Sequence, residues 1–289
     1  MSARSLFLGL ATLAALAASC SAPAPAPRSM AFTIDAPVGD EAYTCFAFSA
    51  DAAQPYIHAI RWTIPDGSGV LAHHAILYAV PLWLGPDVGP CWDMPTPSTG
   101  LHAWVPGTGS MELPNGMALV LPPDTTKYVI QVHALRSQAG AAAQASVTVD
   151  ASSTKPAVTA SWLVVPAPIP AIRPHQIETS SGSCTASAAV HVGLAWPHMH
   201  RIGKEFHGSI LRGTAPPEAL LDVPSWNFGL QRAYAADTEL AAGDRVQTTC
   251  VWENPTDQYV FGGPKSTDEM CHQALLVWPA ENAKWTDCP

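Results

Sequence analysis

Proline occupies 28 of the 289 positions and glycine another 20, and that density limits the fold before anything else does. Inside a helix a proline removes one hydrogen bond and clashes with the preceding turn. A chain punctuated this often therefore favours short strands joined by turns. Ten tryptophans and a charged fraction of only 13% point the same way. The length allows one large core, or two ordinary ones of about 120 to 150 residues each. A net charge of −9, with few basic clusters, argues against nucleic acid as a partner.

Residues 1–20 read as an export leader. Arg4 supplies a positive start, Leu6 to Leu16 an apolar stretch too short to cross a bilayer, and Ala17-Ala18-Ser19-Cys20 a small-residue cleavage site. The stretch Leu16 to Cys20 resembles a bacterial lipobox, in which the cysteine becomes the lipidated first residue, although the favoured leucine lies one position too far upstream. An ordinary secretory signal is the alternative. Residues 21–29, rich in Ala-Pro steps, then form a stiff extended tether with nothing to bury. These readings place the protein outside the cytoplasm as a lipoprotein facing periplasm or exterior, with a lipid anchor as its only membrane contact.

Export puts the remaining cysteines in an oxidising compartment. Cys45, Cys91, Cys184, Cys250, Cys271 and Cys288 make an even set that fits three disulfides, in any of many pairings. Two fall in the first half and four in the second, so each half can close its own bridges. A boundary is expected near 152–156, dividing residues 30–153 from residues 154–289.

Strand signals begin near Met30. Tyr56 to Ile64 is apolar and aromatic and stops at the turn Pro65-Asp66-Gly67-Ser68-Gly69, after which Val70 to Val80 carries His73 and His74. Cys91 to Gly109 reads as loop, and Gln138 to Ala145 as a small-residue surface loop. Lys127 to Leu135 alternates, with Tyr128, Ile130 and Val132 on one face and Val129, Gln131 and His133 on the other. A glutamine and a histidine two apart on one face suggest a site rather than a core. Further strands are expected over Ser146–Asp150, Ala157–Val165, Ser187–Trp196, Ser209–Arg212, Arg245–Glu253 and Gln273–Trp278.

The stretch Trp196-Pro197-His198-Met199-His200-Arg201 is the sharpest chemical feature. In an extended chain His198 and His200 project from one face and make two corners of a metal site, while Met199 points away into packing. Adjacent His73 and His74 would point to opposite faces. They can serve one ion only if the strand is distorted there, or if they bind through different ring nitrogens. His58 reads as an ordinary hydrogen-bonded histidine.

Together these residues resemble the copper type II, ascorbate-dependent monooxygenases, the family of peptidylglycine α-hydroxylating monooxygenase and dopamine β-monooxygenase. The resemblance covers nearly all of the mature chain. It rests on Leu71-Ala72-His73-His74-Ala75-Ile76-Leu77, on Lys127 to His133, on His198-x-His200 followed by Ile202-Gly203-Lys204, and on Gly262-Gly263 leading to Asp268-Glu269-Met270-Cys271. It implies an all-β fold of two tandem antiparallel, jelly-roll-like β-sandwich domains, with one copper in each and a solvent-filled cleft between. His73, His74 and His133 match the ligands of an electron-storing copper, and His198, His200 and Met270 those of the copper that uses O2. Imidazole serves both oxidation states of copper and a thioether favours Cu(I). The lack of a carboxylate ligand counts against hydrolytic zinc. The resemblance also implies the pairs Cys45–Cys91, Cys184–Cys288 and Cys250–Cys271, and puts Tyr43 and Gln131 near the electron-storing site.

The activity so implied is hydroxylation of a C–H bond of a small organic substrate, with O2 and ascorbate or another reductant. The chain departs from the peptide-hydroxylating pattern where that enzyme grips its substrate carboxylate. Trp196 stands in place of an arginine, His272 of an asparagine and Ala274 of a tyrosine. A glycine-extended peptide is thereby disfavoured. An apolar or aromatic molecule lying against Trp196, with His272 as polar anchor, is the expected substrate geometry. His272 is also a candidate additional or competing copper ligand. The competing reading is a non-catalytic, exported copper-binding or storage lipoprotein.

Overall fold

The computed structural model describes residues 26–65, 70–91, 95, 97–105, 108–136 and 142–289. The expected leader, Cys20 and most of the Ala-Pro tether lie outside these residues, as does the turn at 66–69. The described chain is almost entirely strand, arranged in three sheets.

One five-stranded antiparallel sheet runs β5 (Val88–Pro90), β2 (Asp40–Ser49), β9 (Lys127–Arg136), β4 (Val70–Val80), β6 (Thr99–Trp104). A second runs β15 (Glu218–Val223), β14 (Gly203–Leu211), β17 (Arg245–Glu253), β12 (Ile177–Ala186), β19 (Trp285–Thr286). Between them lies a nine-stranded sheet. Its first part is β1 (Arg28–Ile34), β10 (Ala143–Ser152), β3 (Tyr56–Thr63) and β8 (Met117–Val120), with β7 (Met111–Glu112) beside β3. Its second part is β11 (Val158–Pro166), β18 (His272–Trp278), β13 (Val190–His198) and β16 (Tyr234–Leu240). The parts join through a parallel pairing of β8 with β11, from Met117↔Val158 to Leu119↔Ala160. The β-sandwich architecture is present, and its two sandwiches share one continuous sheet.

Period-two patterning sends side chains into two large cores and a smaller cluster of Cys45, Ala47, Tyr78, Val80 and Val129. Phe32, Phe46, Ile57, Ile60 and Leu77 build the first, joined from β9 by Tyr128, Ile130 and Val132. Val192, Phe206, Val246, Trp252 and Leu275 build the second. The other face of β9 is buried too, with Val129, Gln131 and His133 all covered. Leu276 of β18 enters the first core, and Trp162, Leu194 and Trp278 pack against it. The second part of the long sheet therefore turns one face to its own core and the other to the first sandwich. That second face forms the seam where the chemistry-bearing residues collect.

Three expectations need correction. The stretch read as a surface loop from Gln138 to Ala145 runs into β10, where Ala143 and Ala145 are buried opposite Ile34 and Phe32 of β1. The stretch read as loop from Cys91 to Gly109 contains β6, because β4 offers an open edge from Ala75 to Ala79 that pairs it despite its Pro- and Gly-rich surroundings. Strand β13 continues to His198 instead of stopping at Trp196, leaving His200 just beyond its end. Strands β12, β15 and β16 were not expected either, and β12 is held in place by nine paired positions along β17 in spite of its serine-rich composition.

The disulfides are Cys45–Cys91, Cys184–Cys288 and Cys250–Cys271, the three pairs that the resemblance implies. Cys250–Cys271 closes a separation of 21 residues, worth about 3 kcal/mol in the chain-entropy view, and fixes the residue just before β18.

Gly182 of β12 lets that strand lie directly on the backbone after β11. A Cβ there would come 2.2 Å from the Pro166 oxygen and 2.8 Å from the Ala167 Cα. Pro166 pairs with His272, and the Ala167 amide donates to the Cys271 carbonyl at 3.0 Å, so this approach braces the strand that carries His272. Gly182→Ala is expected to cost roughly 1–3 kcal/mol by overpacking, read from denaturant unfolding. An unchanged midpoint would contradict so close an approach.

Candidate metal centres

His73 and His74 stand on β4 and His133 faces them from β9, with one ring nitrogen of each within 4.8 Å of the others. All three are buried. The distortion needed to aim adjacent residues at one point is there, since the β4–β9 register slips between Ala72 and His74. Such bulges re-aim side chains beside functional sites. His73 Nδ1 lies 3.1 Å from His74 Nδ1. His133 Nε2 lies 2.8 Å from the Glu41 carboxylate, which accepts that N–H and leaves the lone pair on Nδ1.

His133 Nδ1 and His73 Nε2 are buried with no hydrogen-bond partner. Burial lowers the pKa of all three rings, that of His73 to about 2, so they stay neutral, the form that ligates a metal. Three convergent neutral imidazoles, one of them with its lone pair unmatched at His133 Nδ1, fit a copper ion. Burial alone would raise Glu41, but hydrogen bonds from Ser266 and His133 outweigh it and hold the carboxyl below its ordinary value. Tyr43 stacks on His133 with centroids 4.1 Å apart, and its hydroxyl donates to the Pro264 carbonyl. Gln131 lies buried two residues before His133 on the same strand.

The second group forms where β13 ends. The His198 and His200 rings lie 5.2 Å apart and nearly perpendicular. His198 Nδ1 donates to Gln231 Oε1 at 2.8 Å, and His200 Nδ1 to the Asp268 carbonyl at 3.1 Å. The Gln231 amide is oriented by its own Nε2, which donates to the Phe228 carbonyl at 3.0 Å. Both rings therefore hold their proton on Nδ1 and keep the lone pair on Nε2.

Met270 sits between Glu269 and the disulfide-bonded Cys271, just ahead of His272, which pairs with His198 in the sheet. One buried carboxylate organises this corner. Glu269 accepts from the backbone amides of His200 at 2.9 Å, Ile202 at 2.9 Å and Met270 at 3.3 Å, and from Trp252 Nε1 at 3.0 Å. Burial pushes its carboxyl up to about 7, against the pull of these four donors.

The two groups meet through Phe228. Its ring stacks on His73 with centroids 4.0 Å apart and stands at 76° to the His200 ring at 6.1 Å, while the Arg201 guanidinium lies 5.6 Å from its centre. Beside it, Ser266 Oγ donates to Glu41 at 2.8 Å across the seam. The expected cleft narrows here to direct contact.

Trp196 shares the seam face of β13 with His198, and its Nε1 donates to the Gln231 carbonyl at 3.0 Å. His272 lies half-buried with its ring 6.4 Å from His198, and desolvation lowers its pKa to about 4. Met199 is fully buried in the second core, and His58 bonds the Met117 carbonyl and Ser152, both as expected. Sequence reasoning missed Glu41, Phe228, Gln231 and the role of Glu269. Glu41 stands two residues before Tyr43 in β2, so strand parity was an available signal. Phe228 and Gln231 lie between β15 and β16 in a stretch with no periodicity to read.

Fold and side chains together define a disulfide-bonded protein of two β-sandwiches whose seam gathers histidines suited to metal. Residues 160–288 match the family model described as copper type II ascorbate-dependent monooxygenase, C-terminal domain. The second half of the chain therefore carries the C-terminal domain of the copper type II ascorbate-dependent monooxygenase family. That domain implies oxidoreductase chemistry of the monooxygenase kind, dependence on copper and ascorbate, and a small-molecule substrate together with O2. No curated protein matches the chain. Three disulfides fit a location outside the reducing cytoplasm.

The histidines of the two groups set a limit in acid, and so does half-buried His102 of β6, whose Nδ1 accepts from Trp62 Nε1. Their folded pKa values lie below 6.5, so under that pH the unfolded chain takes up protons that the folded chain refuses, and stability falls as pH drops. His102, lowered by burial to about 4, is expected to cost about 2 kcal/mol on its own between pH 7 and pH 5. Denaturant unfolding of metal-free protein at the two pH values measures this loss. His102→Asn keeps an acceptor for the Trp62 N–H and is expected to remove that share of the slope.

Proposed function

We propose that this protein is an exported copper monooxygenase that places one oxygen atom of O2 into a C–H bond of a small, mostly apolar organic molecule. Bound copper supplies one-electron redox chemistry and the use of O2, and ascorbate or another reductant supplies the electrons. In this reading His73, His74 and His133 hold an electron-storing ion, and His198, His200 and Met270 hold the ion at which O2 is consumed. The conversion takes C–H, O2, two electrons and two protons to C–OH and water. The leader and tether give the proposal its lipid-anchored location.

The observation that carries it is the convergence of three buried, neutral imidazoles, with the His133 Nδ1 lone pair unmatched and His73 Nε2 unpartnered. Glu41 orients His133 and raises its basicity as a ligand, an arrangement common behind metal-binding histidines. Gln231 and the Asp268 carbonyl do the same for His198 and His200. Glu269 fixes the backbone on either side of the second group, so a weak thioether ligand would need little further ordering. Phe228 keeps water from the space between the groups.

Replacement of the carboxylate grip by Trp196, His272 and Ala274 supports the second reading, a copper-binding protein without turnover. Oxygen uptake by copper-loaded protein with ascorbate separates the two. The monooxygenase reading expects uptake that rises with a substrate and matches hydroxylated product formed. Two bound coppers with no coupled product from a broad metabolite mixture would favour storage.

Two variants probe the roles of individual residues. Glu41→Gln is expected to weaken copper binding at the His73/His74/His133 group by about 10- to 100-fold, read by chelator competition. Phe228→Ala is expected to leave copper binding nearly unchanged and to raise the O2 consumed per product formed. Tight coupling in that variant would remove Phe228 from the mechanism.

A further inference from the structure

A cavity of about 500 Å³ lies at the seam, further along the sheet face that carries His198. Its floor is aromatic. Trp162 of β11, Trp196 of β13 and Trp278 of β18 all line it, brought together by the register Trp162↔Leu276 and Leu276↔Leu194, with Trp196 opposite Ala274. Gly193 lets the Trp278 ring lie on the strand itself, since a Cβ there would meet that ring at 2.3 Å. Its opposite wall comes from the first sandwich, with His102 and the segment from Thr108 to Pro114. The size falls within the range of small-molecule sites.

Two polar groups give the cavity a direction. His102 Nδ1 accepts from Trp62 Nε1 at 2.8 Å, which puts the ring proton on Nε2. That N–H has no partner among the described residues and belongs to a lining side chain. Arg232 is exposed at the rim, lies over Tyr234 at 5.3 Å, and pairs with no carboxylate among the described residues. Glu112 also lines the cavity, but Arg61 holds both its oxygens at 2.6 and 3.1 Å. The opening therefore offers an uncommitted guanidinium and a neutral N–H above a floor of indole rings. His272 is not among the lining residues, so the polar anchor expected there is displaced to Arg232 and His102.

Gln231 ties the cavity to the second histidine group. Its carbonyl accepts from Trp196 Nε1 and its side-chain oxygen from His198 Nδ1. Trp196 and His198 are two apart on one strand face, so the cavity lies next to the His198/His200 group along β13, although neither histidine lines it.

We propose that this cavity is the substrate site, and that it takes a flat aromatic acid, its ring on Trp162 and Trp196 and its carboxylate toward Arg232 and His102. The assignment rests on the monooxygenase reading for the word substrate, but not for the binding itself. A carboxylate matches the guanidinium fork, and the indoles exclude water around the ring. Trp196 then becomes the specificity-determining residue, standing where the peptide-hydroxylating pattern has an arginine.

The test is calorimetric titration of full-length, metal-free protein with 2-naphthoate, 2-naphthalenemethanol and 2-naphthalenemethylamine. Naphthoate is expected to bind about tenfold more tightly than the alcohol, with the amine weakest. Arg232→Gln, at an exposed position, is expected to bring the acid and the alcohol together, and Trp196→Ala to weaken both. Near-ultraviolet circular dichroism checks that each variant is folded. Failure of naphthoate to bind, or a preference for the acid that survives Arg232→Gln, would overturn the assignment. Binding as expected, with no rise in ascorbate-driven oxygen uptake by copper-loaded protein, would keep the cavity as an aromatic-acid site and discard the hydroxylation reading. Coupled turnover of a substrate that naphthoate does not displace would keep that reading and discard the cavity.

Discussion

A buried imidazole nitrogen with a lone pair and no donor to meet it is the constraint on which this structure turns. Leaving such an atom unmatched costs about 1–3 kcal/mol, and proteins seldom tolerate it without a reason. Here it occurs at His133 Nδ1, while His73 Nε2 close by is buried without a partner of either kind. Protonation is no escape, because burial and neighbouring histidines push the rings away from charge. A cation that accepts lone pairs resolves the conflict, and copper, the family's metal, suits imidazole in both oxidation states.

The rest of the fold can be understood as holding those rings in place. Continuity of the long sheet through the β8–β11 pairing fixes one sandwich against the other, so residues from β2, β4, β9, β13 and the stretch before β18 meet at one seam. The bulge between Ala72 and His74 turns two neighbouring histidines toward β9. On the far side Glu269 and the Cys250–Cys271 disulfide fix the backbone around His200 and Met270. Half-buried Phe228 lies between the groups, stacked on His73 and 6.1 Å from His200. The second sandwich thus contributes to the surroundings of the first group as well as its own.

Much of this was legible in the residues. Alternation in β9 put Gln131 and His133 on one face, and the need for distortion at His73-His74 followed from strand geometry alone. The disulfide pairs came through resemblance, since cysteine spacing leaves many pairings open. What stayed hidden depends on tertiary contact. Strand β6 forms because an open edge receives it, and nothing local in its Pro-rich surroundings announces it. Phe228 and Gln231 sit in an aperiodic connection and gain meaning only from what the fold sets opposite them. Arg232 and His102 are far apart in sequence, and no motif links them.

The claim most exposed to contradiction is that Met270 joins His198 and His200 around a copper separate from the one at His73, His74 and His133. X-ray absorption at the copper edge, on protein loaded with Cu(I), addresses it directly. The expected spectrum has nitrogen ligands throughout, plus a sulfur contribution on about half of two bound coppers that vanishes in Met270→Ile while both ions remain. One bound copper, or a sulfur contribution unchanged by that substitution, would contradict it.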